Sequence, residues 1–162
     1  MTRYRRAFLP GATYFFTVNL ANRQATLLVD HIDLLRDAIR YTRKRHSFHI
    51  DAMVVLPDHL HAVWTLPPGD ADFPLRWRLI KTWFSRNLLH GEHRRASQVS
   101  KGERGIWQRR YWEHLIRDET DLARHVDYIH WNPVKHEHVA RVSDWPYSTF
   151  HRLVRDGRLG MD

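Results

Sequence analysis

The chain has 162 residues and 43% apolar content, which suits one domain with its own core and excludes a disordered chain. It holds no cysteine, so disulfides, thiolate metal sites and cysteine nucleophiles are excluded, and no apolar run approaches the roughly 20 residues of a membrane span. The 26 lysines and arginines exceed the 18 acids, giving a formal charge of +8, and twenty aromatic rings accompany them as seven Trp, six Tyr and seven Phe. Basic charge interleaved with rings suits a nucleic-acid binder, and it equally suits a basic protein with a large aromatic core.

Residues 1–12 form a basic arm that ends in the turn signal Pro10-Gly11. The arm lacks the sustained apolar stretch of a secretory signal, and a cytosolic setting is expected. TYFFTVNL (13–20) is rich in β-branched and aromatic residues and predicts a strand. The next segment, 30–47, places Ile32, Leu35, Ala38, Ile39 and Thr42 at helical spacing, with Asp30 as its N-cap. FHIDAMVVLP (48–57) and HLHAVWTL (59–66) predict a hairpin that turns at Pro57-Asp58. A helix follows over 73–89, with Leu75, Leu79, Trp83 and Leu88 inward and Arg76, Arg78, Lys81 and Arg86 outward. Residues 90–105 are polar and basic and predict a mobile loop. A short strand is expected near His114–Arg117, then a helix over 119–133 that stops or kinks at Pro133. The tail, 134–162, predicts a turn and one short helix. The order β-α-β-β-α-β-α predicts an α+β, ferredoxin-like split arrangement, an antiparallel sheet with helices on one face.

Two histidines interrupt the apolar strand VVLPDHLHAVWTL. Side chains alternate along a strand, so His59 and His61 share one face while Leu60 and Ala62 take the other. Two imidazoles so placed can converge on a metal ion, or stand as a pair on an open sheet face. Chance pairs are expected among 13 histidines, and His136-Glu137-His138 is another. On the last helix Tyr128 and Asn132 lie four apart, hence on one face. Tyr128 suits attack on a phosphate that a divalent cation has made electrophilic, and Asn132 offers a carbonyl oxygen to that cation. A packed ring and a helix C-cap are the plainer alternatives.

VVLPDHLHAVWTLP, GIWQRRYWEHLIRD and HVDYIHWNPVKHEHV together resemble the REP-associated tyrosine transposases, single-tyrosine members of the HUH superfamily. YRRAFLPGATYFFTVNL and VSDWPYSTFHRLVRDG extend the resemblance over nearly the whole chain. His59-Leu60-His61 matches the two histidines around a bulky apolar residue. The resemblance implies one HUH domain over 1–162, with Mg²⁺ or Mn²⁺ held by His59, His61 and Asn132. Relatives often carry glutamine where Asn132 stands. It also implies attack by Tyr128 on single-stranded DNA beside the hairpin of a repeated extragenic palindrome, through a 5′-phosphotyrosine. The REP-associated branch is implied to be monomeric, though dimers occur in the superfamily. Expected DNA contacts are Arg3, Arg5 and Arg6 of the arm, Arg76, Arg78 and Lys81 of the second long helix, and Arg109, Arg110 and Arg117. Trp77, Trp107 and Trp112 are candidates to stack on bases. A relative that grips hairpins without cutting is the alternative reading, and a histidine-metal hydrolase that uses water is a third.

Overall fold

The computed structural model describes residues 6–88 and 105–159. Its elements are β1 (Thr13–Asn19), α1 (Leu27–Asp30), α2 (Ile32–Arg45), β2 (His49–Val55), β3 (His59–Thr65), α3 (Phe73–Asn87), β4 (Trp112–Leu115) and α4 (Glu119–Lys135). A 3₁₀ turn at Val142–Asp144 and α5 (Phe150–Arg155) complete them. The four strands form one antiparallel sheet in the order β2-β3-β1-β4, as the split arrangement requires. Residues 90–104 of the expected loop lie outside the described residues.

Leu9-Pro10-Gly11-Ala12 turns the chain into β1. Ala12 N–H donates to the Leu9 carbonyl at 3.2 Å, and Gly11 sits at φ 72°, a conformation that favours glycine. From β1 onward each side of the sheet is apolar. Tyr14, Phe16 and Val18 of β1 and Leu60, Ala62 and Trp64 of β3 pack against α2 and α3. Phe15, Ala52, Val54 and Val63 point the other way and pack against Ile129 of α4 and Trp145. The expectation of helices on one face is therefore corrected. Strands apolar on both sides need cover on both sides, because each fully buried large side chain is worth about 1.5–3 kcal/mol.

Three local expectations shift. Asp30 does not cap α2: residues 27–30 close a turn of their own, and α2 starts after His31. Helix α3 is rotated by about one residue, so that Phe73, Trp77, Ile80 and Phe84 form the buried stripe. Arg76 lies on that stripe and is only 1% exposed. Its guanidinium donates to both carboxylate oxygens of Asp70, at 3.1 and 2.8 Å, and to the carbonyls of His46, Ser47 and Asp72. A buried guanidinium needs such a shell, and this one leaves Arg76 no group for DNA. Strand β4 begins two residues early, because Trp112 pairs with Thr17 and Leu115 with Tyr14.

Helix α4 runs through Pro133 to Lys135. The proline sits in the last turn, where its missing N–H removes a single helix bond. The end is a Schellman turn: His138 N–H donates to the Pro133 carbonyl at 2.9 Å and Glu137 N–H to Val134 at 3.0 Å. The tail then covers the outer edge of β2. Val55 N–H donates to the Tyr147 carbonyl, Thr149 N–H to Met53, and Trp145 Nε1–H to Val55. That edge is closed to pairing with another chain.

Glu137 holds φ at 61°, a left-handed conformation that costs a non-glycine residue about 1 kcal/mol. Glu137→Gly is expected to raise unfolding free energy by roughly 0.5–1 kcal/mol in urea titration, with the m-value unchanged.

Candidate active site

His59 and His61 of β3 face α4, with ring centroids 5.0 Å apart. They are 6% and 4% exposed, so the open-face alternative does not hold. Each ring is fixed through one nitrogen. His59 Nδ1 lies 2.9 Å from Asp58 Oδ1, and Arg23 Nε donates to Asp58 Oδ2 at 2.6 Å. His61 Nδ1 lies 2.8 Å from Thr17 Oγ1, its neighbour across the sheet. With Nδ1 as donor in both rings, Nε2 keeps its lone pair. His61 Nε2 is buried and has no hydrogen-bond partner. Burial foremost, then the neighbouring His59, His136, Lys135 and Arg23, push the His61 pKa down to about 3. Burial also lowers His59, against the pull of Asp58. Both rings are neutral at neutral pH, as metal ligation requires.

Helix α4 supplies the opposite wall. Tyr128 is 38% exposed, with its ring 5.2 Å from that of His61 and 6.0 Å from Phe15. Lys135 Nζ stands 5.1 Å from the Tyr128 ring centroid. One turn on, Asn132 is fully buried, and neither Oδ1 nor Nδ2 has a partner. An unpaired buried amide is costly, by about 1–3 kcal/mol for each unmet group. A further turn on, the His136 ring lies 5.6 Å from His59. Sequence reasoning took His136 for a chance histidine. Its spacing of four from Asn132 and eight from Tyr128 was the available signal.

A second cluster went unnoticed in the sequence. The side chains of His114, Asp121 and His125 each offer a ligand atom, all within 4.8 Å of one another. His114 Nε2 is 2.8 Å from Asp121 Oδ2, which also accepts the Arg117 N–H at 2.9 Å. That N–H and His114 hold the Asp121 carboxyl at about 2. The His125 ring packs 4.7 Å from Phe15, so the cluster ties β4 to the first turns of α4. Two imidazoles and a carboxylate suit a transition metal, and as it stands the set is held together by hydrogen bonds.

The expected DNA contacts scatter. Arg3 and Arg5 lie outside the described residues. Arg6 pairs with Glu113 at 2.8 Å and lies 4.3 Å over the Tyr111 ring. Arg76 is structural, and Trp77 stacks on Trp64 at 4.1 Å in the core. Arg78, Lys81 and Arg109 line a cavity with Trp107, while Arg110, Arg117 and Trp112 are exposed.

Two neutral imidazoles, an unpaired buried amide and an accessible phenol lie on one side of an antiparallel sheet, a set of groups that could hold a divalent cation beside a tyrosine. No protein-family model matches the chain. A REP-associated tyrosine transposase of Escherichia coli K12 is 48% identical over 162 residues, covering 100% of this chain and 90% of that protein. A Haemophilus influenzae protein provisionally given the same name is 46% identical over 160 residues, covering 96% of this chain and 89% of its own. A solved REP-associated tyrosine transposase bound to a REP hairpin superposes with a TM-score of 0.86 at 48% identity, covering 100% of this chain and 90% of that one. The chain belongs to the REP-associated tyrosine transposases. Among the described residues, no helix is long and apolar enough to cross a membrane.

His130 anchors the tyrosine helix to the tail through Nε2 and Thr149 Oγ1, 2.8 Å apart. Burial foremost, then Arg152 and His151, lower its pKa from 6.5 to about 4. The folded state therefore holds His130 neutral. The stability this contributes is complete above about pH 6.5 and is lost as pH falls toward and through 4. The shift corresponds to about 3 kcal/mol in total. His130→Gln is expected to flatten the pH dependence of unfolding between 6.5 and 4, measured by urea titration at each pH.

Proposed function

We propose that this protein is a metal-dependent transposase and endonuclease, which cleaves and rejoins single-stranded DNA at REP-type hairpins through a 5′-phosphotyrosine intermediate. The observation that carries this reading is the Tyr128 ring 5.2 Å from that of His61, whose Nε2 is unpartnered, with the unpartnered Asn132 amide one turn further along α4. The donor set fits a hard or borderline divalent cation, with Mg²⁺ or Mn²⁺ the proposed ions and His59, His61 and Asn132 the ligands. When bound, the cation polarises the scissile phosphate and offsets its growing charge.

The chain's own residues do the rest. Arg23 fixes Asp58, Asp58 orients His59, and Thr17 orients His61, so both Nε2 atoms are held before any ligand arrives. Tyr128 Oη attacks phosphorus and the P–O3′ bond breaks. The phenolic proton passes to solvent, and the 3′-oxygen takes a proton to become a free 3′-OH. The downstream strand remains on Tyr128 as a 5′-phosphate ester. Lys135, whose Nζ stands 5.1 Å from the Tyr128 ring centroid, places a positive charge beside the phosphate under attack. One phosphodiester replaces another, so neither ATP nor water is consumed, and attack by a 3′-OH restores the strand. Positioning carries much of the rate, since the nucleophile rides on a packed helix.

The whole chain acts as one domain in this reading, with 1–12 as a basic arm, 90–105 as a basic loop and 134–162 as the tail. It works as a monomer in the cytoplasm, since Tyr128 reaches the histidines of its own chain and the tail closes the β2 edge.

A denaturing gel with an end-labelled hairpin oligonucleotide and Mn²⁺ tests the chemistry. The expected result is a covalent adduct that carries the downstream strand and is absent in Tyr128→Phe and His59→Ala. Cleavage that survives in Tyr128→Phe would make water the nucleophile. Salt-sensitive binding without any cleavage would leave a hairpin-binding protein. Asp58→Ala is expected to weaken Mn²⁺ binding by about 10–100-fold, with adduct formation restored at high Mn²⁺.

A further inference from the structure

Three side chains meet beside the tyrosine helix and take no part in the proposed cleavage step. His114 of β4 stands opposite Phe15 of β1, so its ring points to the α4 side of the sheet. Asp121 and His125 are four residues apart on the first turns of α4, hence on one helix face. A strand residue and two helix residues thus converge, each offering a ligand atom within 4.8 Å of the others. The cluster is separate from the histidine pair of β3. Strand β1 runs between β3 and β4, and its Phe15 ring packs 4.7 Å from His125 on one side and 5.6 Å from His61 on the other.

The spacing suits a chelate. Two donors on one Zn²⁺-sized ion, each about 2.0–2.1 Å from it, lie roughly 3–4 Å apart. His114 Nε2 is 2.8 Å from Asp121 Oδ2, and His125 Nδ1 is 3.2 Å from Asp121 Oδ1. As it stands, His114 Nε2–H donates to the carboxylate and His125 Nδ1–H to the Asp121 carbonyl at 2.8 Å. A divalent ion takes the lone pair of each of these nitrogens, and each ring keeps its proton on the far nitrogen, so no net proton is released. A brace between β4 and α4 is complete with His114 and Asp121 alone. The His125 imidazole adds a third donor that turns back to the same carboxylate.

The surroundings admit a cation. The Arg117 N–H fixes Asp121 Oδ2 at 2.9 Å, and the Asp121 N–H is itself held by Asp118 Oδ1 at 2.8 Å. The side chains of His114 and His125 are 27% and 23% exposed, so an ion can enter from solvent and water can fill its remaining positions. Arg117 Nε lies 3.8 Å from Asp121 Oδ2, on a side chain exposed enough to swing into water. Asp118 and Glu119 offset the positive pole of the helix start. Two imidazoles and one carboxylate select a borderline transition ion over Mg²⁺, which prefers an oxygen shell.

We propose that His114, Asp121 and His125 form a second metal site, for a borderline divalent transition ion such as Zn²⁺, which clamps β4 to the start of the tyrosine helix. This assignment does not rest on the cleavage reading, since the ion touches neither Tyr128 nor the pair His59 and His61. Its effect is on the fold: coordination from both elements holds the first turns of α4 to the sheet edge.

The test uses the full chain carrying His59→Ala and His61→Ala, which removes the other imidazole pair. Co²⁺ is the spectroscopic probe and Zn²⁺ the competitor. The expected result is one Co²⁺ per chain with visible absorption, displaced by Zn²⁺, and a Tm that rises with Zn²⁺. Adding His114→Gln or His125→Asn should weaken Co²⁺ binding by about 10-fold or more, since outer-shell partners alone are worth that much. The rise in Tm should vanish with it. Each amide keeps an N–H close to where the imidazole N–H stood, so the hydrogen-bonded brace survives, and circular dichroism checks the fold of every variant. Long-range proton–nitrogen NMR spectra of the wild-type chain keep the test alive if a variant fails to fold: the ring nitrogens of His114 and His125 should shift with Zn²⁺. No ion bound once His59 and His61 are removed, in a chain that is folded, would overturn the assignment. So would Zn²⁺ shifts confined to other histidines, or Co²⁺ affinity unchanged in both His114→Gln and His125→Asn. Adduct formation is scored in a separate assay, so failure of the cleavage reading and failure of this site give different results.

Discussion

Thr17 and His61 face each other across β1 and β3, with 2.8 Å between Thr17 Oγ1 and His61 Nδ1. The register that pairs them also pairs Asn19 with His59 and Phe15 with Val63. Side chains alternate along each strand, so a slip of one residue in β3 would turn both imidazoles into the aromatic core around Trp64 and Trp77. There they would meet no polar partner, and Leu60 and Ala62 would point into the site. The apolar faces of β1 and β3 hold the register, and the register in turn presents the histidines to α4.

The tyrosine helix is held as firmly as the strand. Ile129 enters the core, His130 bonds to Thr149 of the tail, and the Schellman turn after Lys135 fixes the helix end. The cluster of His114, Asp121 and His125 ties the other end to β4. Tyr128 and Asn132 therefore sit on a rigid element braced at both ends, the condition for aligning a nucleophile without ordering it anew at each turnover. Several buried polar atoms lack a hydrogen-bond partner, the indole N–H groups of Trp64, Trp77 and Trp107 among them, and those of His61 and Asn132 lie on the two elements, β3 and α4, where the chemistry is proposed. Strain of this kind concentrates at functional sites, since a ligand relieves it.

Charge is divided by depth more than by position in the chain. Arg76 is taken into the interior and neutralised by Asp70, while Arg78, two residues on, stays in water. The same helix thus gives one cation to the fold and leaves another in water. The two faces of the sheet then differ: one side carries imidazole, amide and phenol, the other a cationic, ring-lined cavity. β4 is the edge between them, and β2 is sealed by the tail.

Local periodicity was legible in the sequence. The two-residue spacing put His59 and His61 on one face, the four-residue spacing put Tyr128 above Asn132, and Pro57-Asp58 marked the hairpin. The strand and helix order, and the resemblance built on those motifs, were legible for the same reason: each depends on residues close in the chain. The tertiary structure alone decided which sheet face the histidines share with α4, that helices cover both faces, and that His136 joins the site. It alone rotated α3 to bury Arg76 and brought His114 from β4 to Asp121 and His125 of α4. Such placements depend on register and packing between segments up to a hundred residues apart. A helix pattern with several arginines cannot say which one will turn inward to the carbonyls of His46 and Ser47, because those are its neighbours only after folding.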